Sequence, residues 1–158
     1  MRYLNKIVFI NSAAIRYSEV QLDGNIHLIG TQGVGKSTIL RAILFFYNAD
    51  TQRLGIPVEK KSYQDYYFPY ADSSIIYEVA REDGWFTVLS YKTMNRICYR
   101  FIASPYRPDL FIDEEGAPYP SDRIRSVLDK NGIKYSGAIS TYEEYRNILY
   151  RSEEHTSE

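Results

Sequence analysis

The chain has 158 residues, of which 44% are hydrophobic and 25% charged, and its formal net charge at pH 7 is -1; this balance excludes both a disordered polar chain and a strongly basic nucleic-acid-binding domain. A single cysteine, Cys98, and two histidines, His27 and His155, exclude an intramolecular disulfide and a Cys/His zinc site. No apolar run reaches the roughly 20 residues a membrane helix needs, and charged and polar residues interrupt the first ten positions where a signal peptide would be unbroken, so a cytoplasmic protein is expected.

In chain order, residues 4–10 and 16–22 read as strands, the second alternating Ser18, Val20 and Leu22 with Tyr17, Glu19 and Gln21 ahead of the turn signal Asp23, Gly24, Asn25. Residues 26–29 form a short apolar strand in which His27 is expected to be structural. After the glycine-rich stretch 30–38, residues 39–47 are apolar nearly all round, as in a helix sandwiched between layers. Residues 51–72 contain Gly55, Pro57 and Pro69 and no clean period, which predicts a long loop with at most a short helix.

Three strands follow at 75–81, 85–92 and 96–103, joined by turns short enough for an antiparallel meander, with 109–113 as a further edge strand. Cys98 falls on the apolar pattern of the third and is assigned to the core. A helix over 121–130 closes with Asn131 and Gly132, and Thr141 with Glu144 forms a capping box ahead of Tyr142, Tyr145, Ile148 and Leu149. The sixteen tyrosines run from Tyr3 to Tyr150 without a repeat and read as amphipathic packing residues.

The last eight residues, RSEEHTSE, match the translated start of a widely used sequencing adapter. Residues 151–158 are therefore expected to be an artefact, with the natural protein continuing past Tyr150. Without that tail, one Arg and three Glu fewer, the formal charge becomes +1 and His27 is the only histidine.

The strongest chemical signal is GTQGVGKS over 30–37, the pattern G-x-x-x-x-G-K-[ST] between a strand and a helix. Glycines at Gly30, Gly33 and Gly35 let the backbone curl around phosphates, with Thr31, Gln32 and Val34 adding main-chain amides. Lys36 suits the β- and γ-phosphates, the Ser37 hydroxyl suits Mg²⁺, and Thr38 suits the α-phosphate from the first helical turn. Asn11 and Ser12, ending the first strand, are candidates for the adenine side, and Lys60 and Lys61 for contact with a DNA backbone. With no guanine-reading motif visible, ATP with Mg²⁺ is the expected ligand.

Hydrolysis also needs a carboxylate for the metal, commonly at the end of an apolar strand. The only such run is LFIDE at 110–114, and Pro108, Asp109 and the acidic turn after Asp113 and Glu114 mark it as a decoy.

Residues 6–68, with KIVFINSAAIRYSEVQL followed by IHLIGTQGVGKSTILRAILFF, resemble the N-terminal part of an SMC/MukB/RecF-type ATPase head. The resemblance implies an α/β, P-loop NTPase-type partial head: N-terminal strands and the phosphate-loop helix, an antiparallel subdomain at about 75–113, and helices at about 121–150, all within one lobe spanning 1–150. It further implies that coiled coils intervene and that a C-terminal half of the same head brings the signature and Walker B motifs. ATP hydrolysis would then belong to the intact parent, a cytoplasmic, nucleoid-associated protein forming head-to-head dimers on DNA, in chromosome organisation, repair or plasmid defence. KKSYQDYYF is similar to the basic segment after the phosphate-loop helix of such heads. Thr31 and Gln32 stand where many of them have Pro-Asn, and no glutamine follows Gln64 to serve as their Q-loop. Two other readings compete: a self-contained P-loop NTPase or small kinase using Asp113 and Glu114 in a parallel sheet, and a nucleotide-binding regulatory module without catalysis.

Overall fold

Ten residues with apolar side chains on both sides, Tyr3–Ser12, form strand β1, which turns through Ala13 and Ala14 into β2, Ile15–Gln21. The computed structural model describes residues 3–22, 35–48, 63–94 and 96–156. Its remaining elements are helix α1 (Lys36–Asn48), the short helix α2 (Tyr63–Tyr67), strands β3 (Ser74–Arg81), β4 (Gly84–Thr93) and β5 (Arg96–Ile102), and helices α3 (Ser121–Lys130) and α4 (Tyr142–Thr156). The predicted strand 26–29, with His27, lies outside the described residues.

The five strands make one sheet in the order β2-β1-β3-β4-β5, every neighbouring pair antiparallel. The predicted meander is present as β3, β4 and β5. The β5 edge does not end the pairing: Tyr99 and Ile139 exchange backbone hydrogen bonds of 2.8 and 2.9 Å, and Ser136 N–H donates to the Phe101 carbonyl at 2.8 Å.

Both faces of the sheet are covered, which is why the central strand β3 reads SIIYEVA without polar alternation. On one face Ile7, Phe9, Tyr77, Val88 and Tyr99 pack with Ile39, Ala42, Phe45 and Phe46 of α1, Tyr63 and Tyr67 of α2, and Tyr145 and Leu149 of α4. On the other, Val8, Ile76, Leu89 and Cys98 meet Tyr106, Leu110 and Phe111 together with Ile124 and Leu128 of α3. Tyrosines do much of the packing, as expected. The Tyr77 hydroxyl donates to the Ala42 carbonyl at 2.9 Å, and that of Tyr145 donates to the Phe46 carbonyl, so each ring fills core while its polar tip satisfies a carbonyl of α1.

Burial raises the Cys98 thiol above its ordinary range. It should resist alkylation at neutral pH in the folded protein and react at the ordinary rate once denaturant unfolds it; equal rates in both states, measured by mass, would place the thiol outside the core.

Helix α3 has the predicted bounds. It closes in a Schellman arrangement: Ile133 N–H donates to the Leu128 carbonyl and Gly132 N–H to that of Asp129, with Gly132 at φ +67. At the start of α4 the Thr141 hydroxyl accepts the Glu144 N–H at 3.2 Å. Residues 109–113 depart from expectation. Pro108–Leu110 is a 3₁₀ turn, since Pro108 lacks the N–H a ladder needs and its carbonyl accepts from Phe111 and Ile112 instead. Leu110 and Phe111 thereby plug the second face, and only Ile112, bridged to Pro118, keeps any strand character.

The β1–β2 hairpin holds unusual backbone. Asn11, Ala13 and Ala14 have φ of 46, 50 and 63, so the two-residue turn places alanines where asparagine and glycine are favoured. A left-handed alanine costs about 1–2 kcal/mol, and glycine's extra unfolded freedom offsets roughly half of that. Ala14→Gly should therefore raise the melting midpoint by about 2 °C in a calorimetric scan.

Candidate nucleotide site at the start of the first helix

Helix α1 begins where the glycine-rich motif ends. Its first hydrogen bond runs from Ile39 N–H to the Gly35 carbonyl at 3.2 Å, so Lys36, Ser37 and Thr38 occupy the first turn. Gly30, Thr31, Gln32, Gly33 and Val34, together with Lys60 and Lys61, lie outside the described residues.

Three properties of that turn bear on chemistry. Lys36 and Ser37 are exposed, and neither has a hydrogen-bond or ion-pair partner among the described residues. The first turn carries no acidic residue, so the helix's positive end and Lys36 reinforce each other. That juxtaposition is unfavourable for an isolated helix and favourable once an anion sits against it. Gly35 is not forced by packing: among the described residues a Cβ there would meet nothing nearer than Thr38 Oγ1 at 3.9 Å.

Thr38 is held from the side by α2. The Tyr67 hydroxyl donates to the Thr38 carbonyl at 3.0 Å, and the Tyr66 hydroxyl lies 3.5 Å from Thr38 Oγ1. Tyr63 anchors α2 by stacking on Phe45 and Tyr67, with ring centroids 4.5 and 4.3 Å apart. Burial pushes the Tyr67 hydroxyl well above its usual range, so it stays a neutral donor. The chain then passes to the sheet, where the Ser73 hydroxyl accepts from Tyr70 N–H at 2.9 Å and donates to the Asn11 carbonyl. One short segment thus ties the first turn of α1 to the end of β1, a link between distant residues that the sequence did not signal.

Asn11 and Ser12 sit at that strand end in different surroundings. Asn11 lines a cavity with Ile10 and Ile112, residues of the face opposite α1. Ser12 is fully buried and its hydroxyl has no hydrogen-bond partner among the described residues.

Asp113 has a structural task. Its Oδ1 accepts both Glu115 N–H and Ala117 N–H at 2.9 Å, closing a turn on the 3₁₀ segment. It lies in no strand of the sheet, and the sheet is antiparallel throughout, so the parallel arrangement required by a self-contained NTPase using Asp113 and Glu114 is missing from the described residues. Among those residues no group of three His, Cys, Asp or Glu side chains is placed to hold a metal ion, and no helix is long and apolar enough to cross a membrane.

Fold and site together define a mixed α/β protein: a five-stranded antiparallel sheet between helices, with a glycine-lysine-serine helix start on one face. The chain belongs to the family described as "Protein of unknown function (DUF3584)", whose model matches residues 11–155. No curated protein matches it, and no solved structure does.

Proposed function

We propose that this chain is the ATP-binding N-terminal part of an SMC/MukB-like ATPase, with the polyphosphate seated on residues 30–38. Lys36 faces the β- and γ-phosphates, the Ser37 hydroxyl holds Mg²⁺, and Thr38, steadied by Tyr67, meets the α-phosphate. The observation that carries the reading is the start of α1: a 13-residue helix opening on Gly35, whose first turn presents no acid and a lysine and serine without partners among the described residues.

A second feature supports the split-head form of the proposal. Leu40, Leu44 and Tyr47 line one side of α1 at 42, 47 and 38% exposure, a stripe with helical spacing on the helix that carries the site. In this reading the C-terminal half of the head packs there and supplies the carboxylates for hydrolysis. Two such heads then engage across ATP in a cytoplasmic, DNA-associated parent.

The test is titration of the 158-residue chain with a fluorescent ATP analogue in Mg²⁺, displaced by ATP and, far less well, by AMP. Gly35→Ala should leave the melting midpoint within about 2 °C, because the fold has room for the methyl, and should weaken the analogue at least tenfold. Equal competition by AMP, or full affinity in Gly35→Ala, would count against a phosphate cradle. Turnover by this chain should be negligible, and Asp113→Asn should cost stability rather than activity, since its carboxylate closes a turn.

A further inference from the structure

Between the β1–β2 hairpin and the turn after the 3₁₀ segment lies a cavity of about 300 Å³, walled by Ile10, Ile112 and Pro118 and bordered by Asn11, Arg16 and Tyr17. Its polar groups are unevenly engaged. The Tyr17 hydroxyl is committed, 2.7 Å from that of Tyr106 and 2.8 Å from Glu19 Oε2, and burial pushes it up to about 12, so it remains protonated. The Asn11 amide and the Arg16 guanidinium have no partner among the described residues. Arg16 is exposed, and Asn11 reaches the cavity from a left-handed backbone at φ 46. Asparagine is among the few residues that adopt this conformation readily, and here Ser73 fixes the Asn11 carbonyl.

The opposite wall is also built rigidly. Asp113 Oδ1 holds the N–H groups of Glu115 and Ala117, and Ile112 bridges to Pro118. Two planar donors with no acceptor to serve, set beside an apolar recess, match a carboxylate carried on an apolar body: the guanidinium takes both oxygens and the amide takes one.

We infer that this cavity is a second ligand site, taking a small organic monocarboxylate between Arg16 and Asn11, independent of any nucleotide bound at α1. Benzoate is the probe, with benzylammonium as its charge-reversed partner, each titrated into the ¹⁵N-labelled 158-residue chain. Benzoate should give saturable shifts at Asn11, Tyr17 and Ala117; benzylammonium should not. Arg16→Gln, at an exposed position, should weaken benzoate at least tenfold without moving the melting midpoint. Asn11→Gly, which keeps the left-handed backbone, should leave the midpoint little changed yet weaken benzoate severalfold, a combination that a purely structural turn would not produce. Lys36→Ala should leave benzoate binding intact, which separates this site from the triphosphate reading. Equal shifts from both probes, no saturation, or full affinity in Arg16→Gln would overturn the assignment.

Discussion

Replacing Lys36 with alanine is expected to lower the affinity for ATP by about 10- to 100-fold while leaving the fold untouched. The magnitude follows from removing a charge-assisted contact to phosphate, worth about 1.5–3 kcal/mol where water is partly excluded. The stability half of the prediction rests on exposure: Lys36 makes no described contact that its loss would break. It sits at the positive end of α1 with no acid in the first turn, so alanine should if anything relieve repulsion in the empty protein. The two readouts therefore move apart, with the midpoint of the unliganded protein steady or slightly higher and the ATP-dependent rise in midpoint lost. Lys36→Arg should recover only part of the affinity, because a planar fork does not replace a compact ammonium. An unchanged ATP affinity in Lys36→Ala would remove the chemical basis of the phosphate site.

What the sequence made legible was the structure that nearest neighbours decide. Apolar runs with short polar turns place the meander, and Asn131-Gly132 and Thr141-x-x-Glu144 mark helix ends because caps are local hydrogen-bonding events. Residues 109–113 misled for a related reason: an apolar run looks the same whether it pairs or turns inward, and Pro108 decided for the turn. The left-handed Ala13 and Ala14 had no signal at all, since nothing about alanine announces a positive φ. Of the candidate site, the helix start and its lysine and serine were readable from the motif. The clamp of Tyr66, Tyr67 and Ser73 was not, for it joins residues 28 to 62 positions apart. Nor did spacing reveal that Asn11 would border a cavity with Ile112.

The same blindness to distance hides the residue whose loss should cost the fold most. Glu78 lies on the central strand with 6% of its surface exposed, an ionisable group on a strand buried on both faces. Its Oε1 accepts Asn5 Nδ2 at 2.8 Å and its Oε2 accepts Tyr106 N–H at 2.7 Å, partners 73 and 28 positions away. Asn5 in turn accepts from Gln21 Nε2 at 3.0 Å through Oδ1 and from Leu22 N–H at 2.8 Å through its carbonyl. One carboxylate thus pins three strands and the loop that plugs the second face. Glu78→Ala removes two hydrogen bonds to a charged acceptor and strands two buried donors, a loss of about 3–4 kcal/mol and about 6–16 °C in midpoint for a chain of this size. Glu78→Gln should lie between. Its carbonyl can still serve Tyr106, but its amide faces the Asn5 amide, and relief requires Asn5 and then Gln21 to turn over in sequence. A midpoint for Glu78→Ala within 2 °C of the parent would show that the β2-β1-β3 half of the sheet is held by apolar packing alone and that this network adds little.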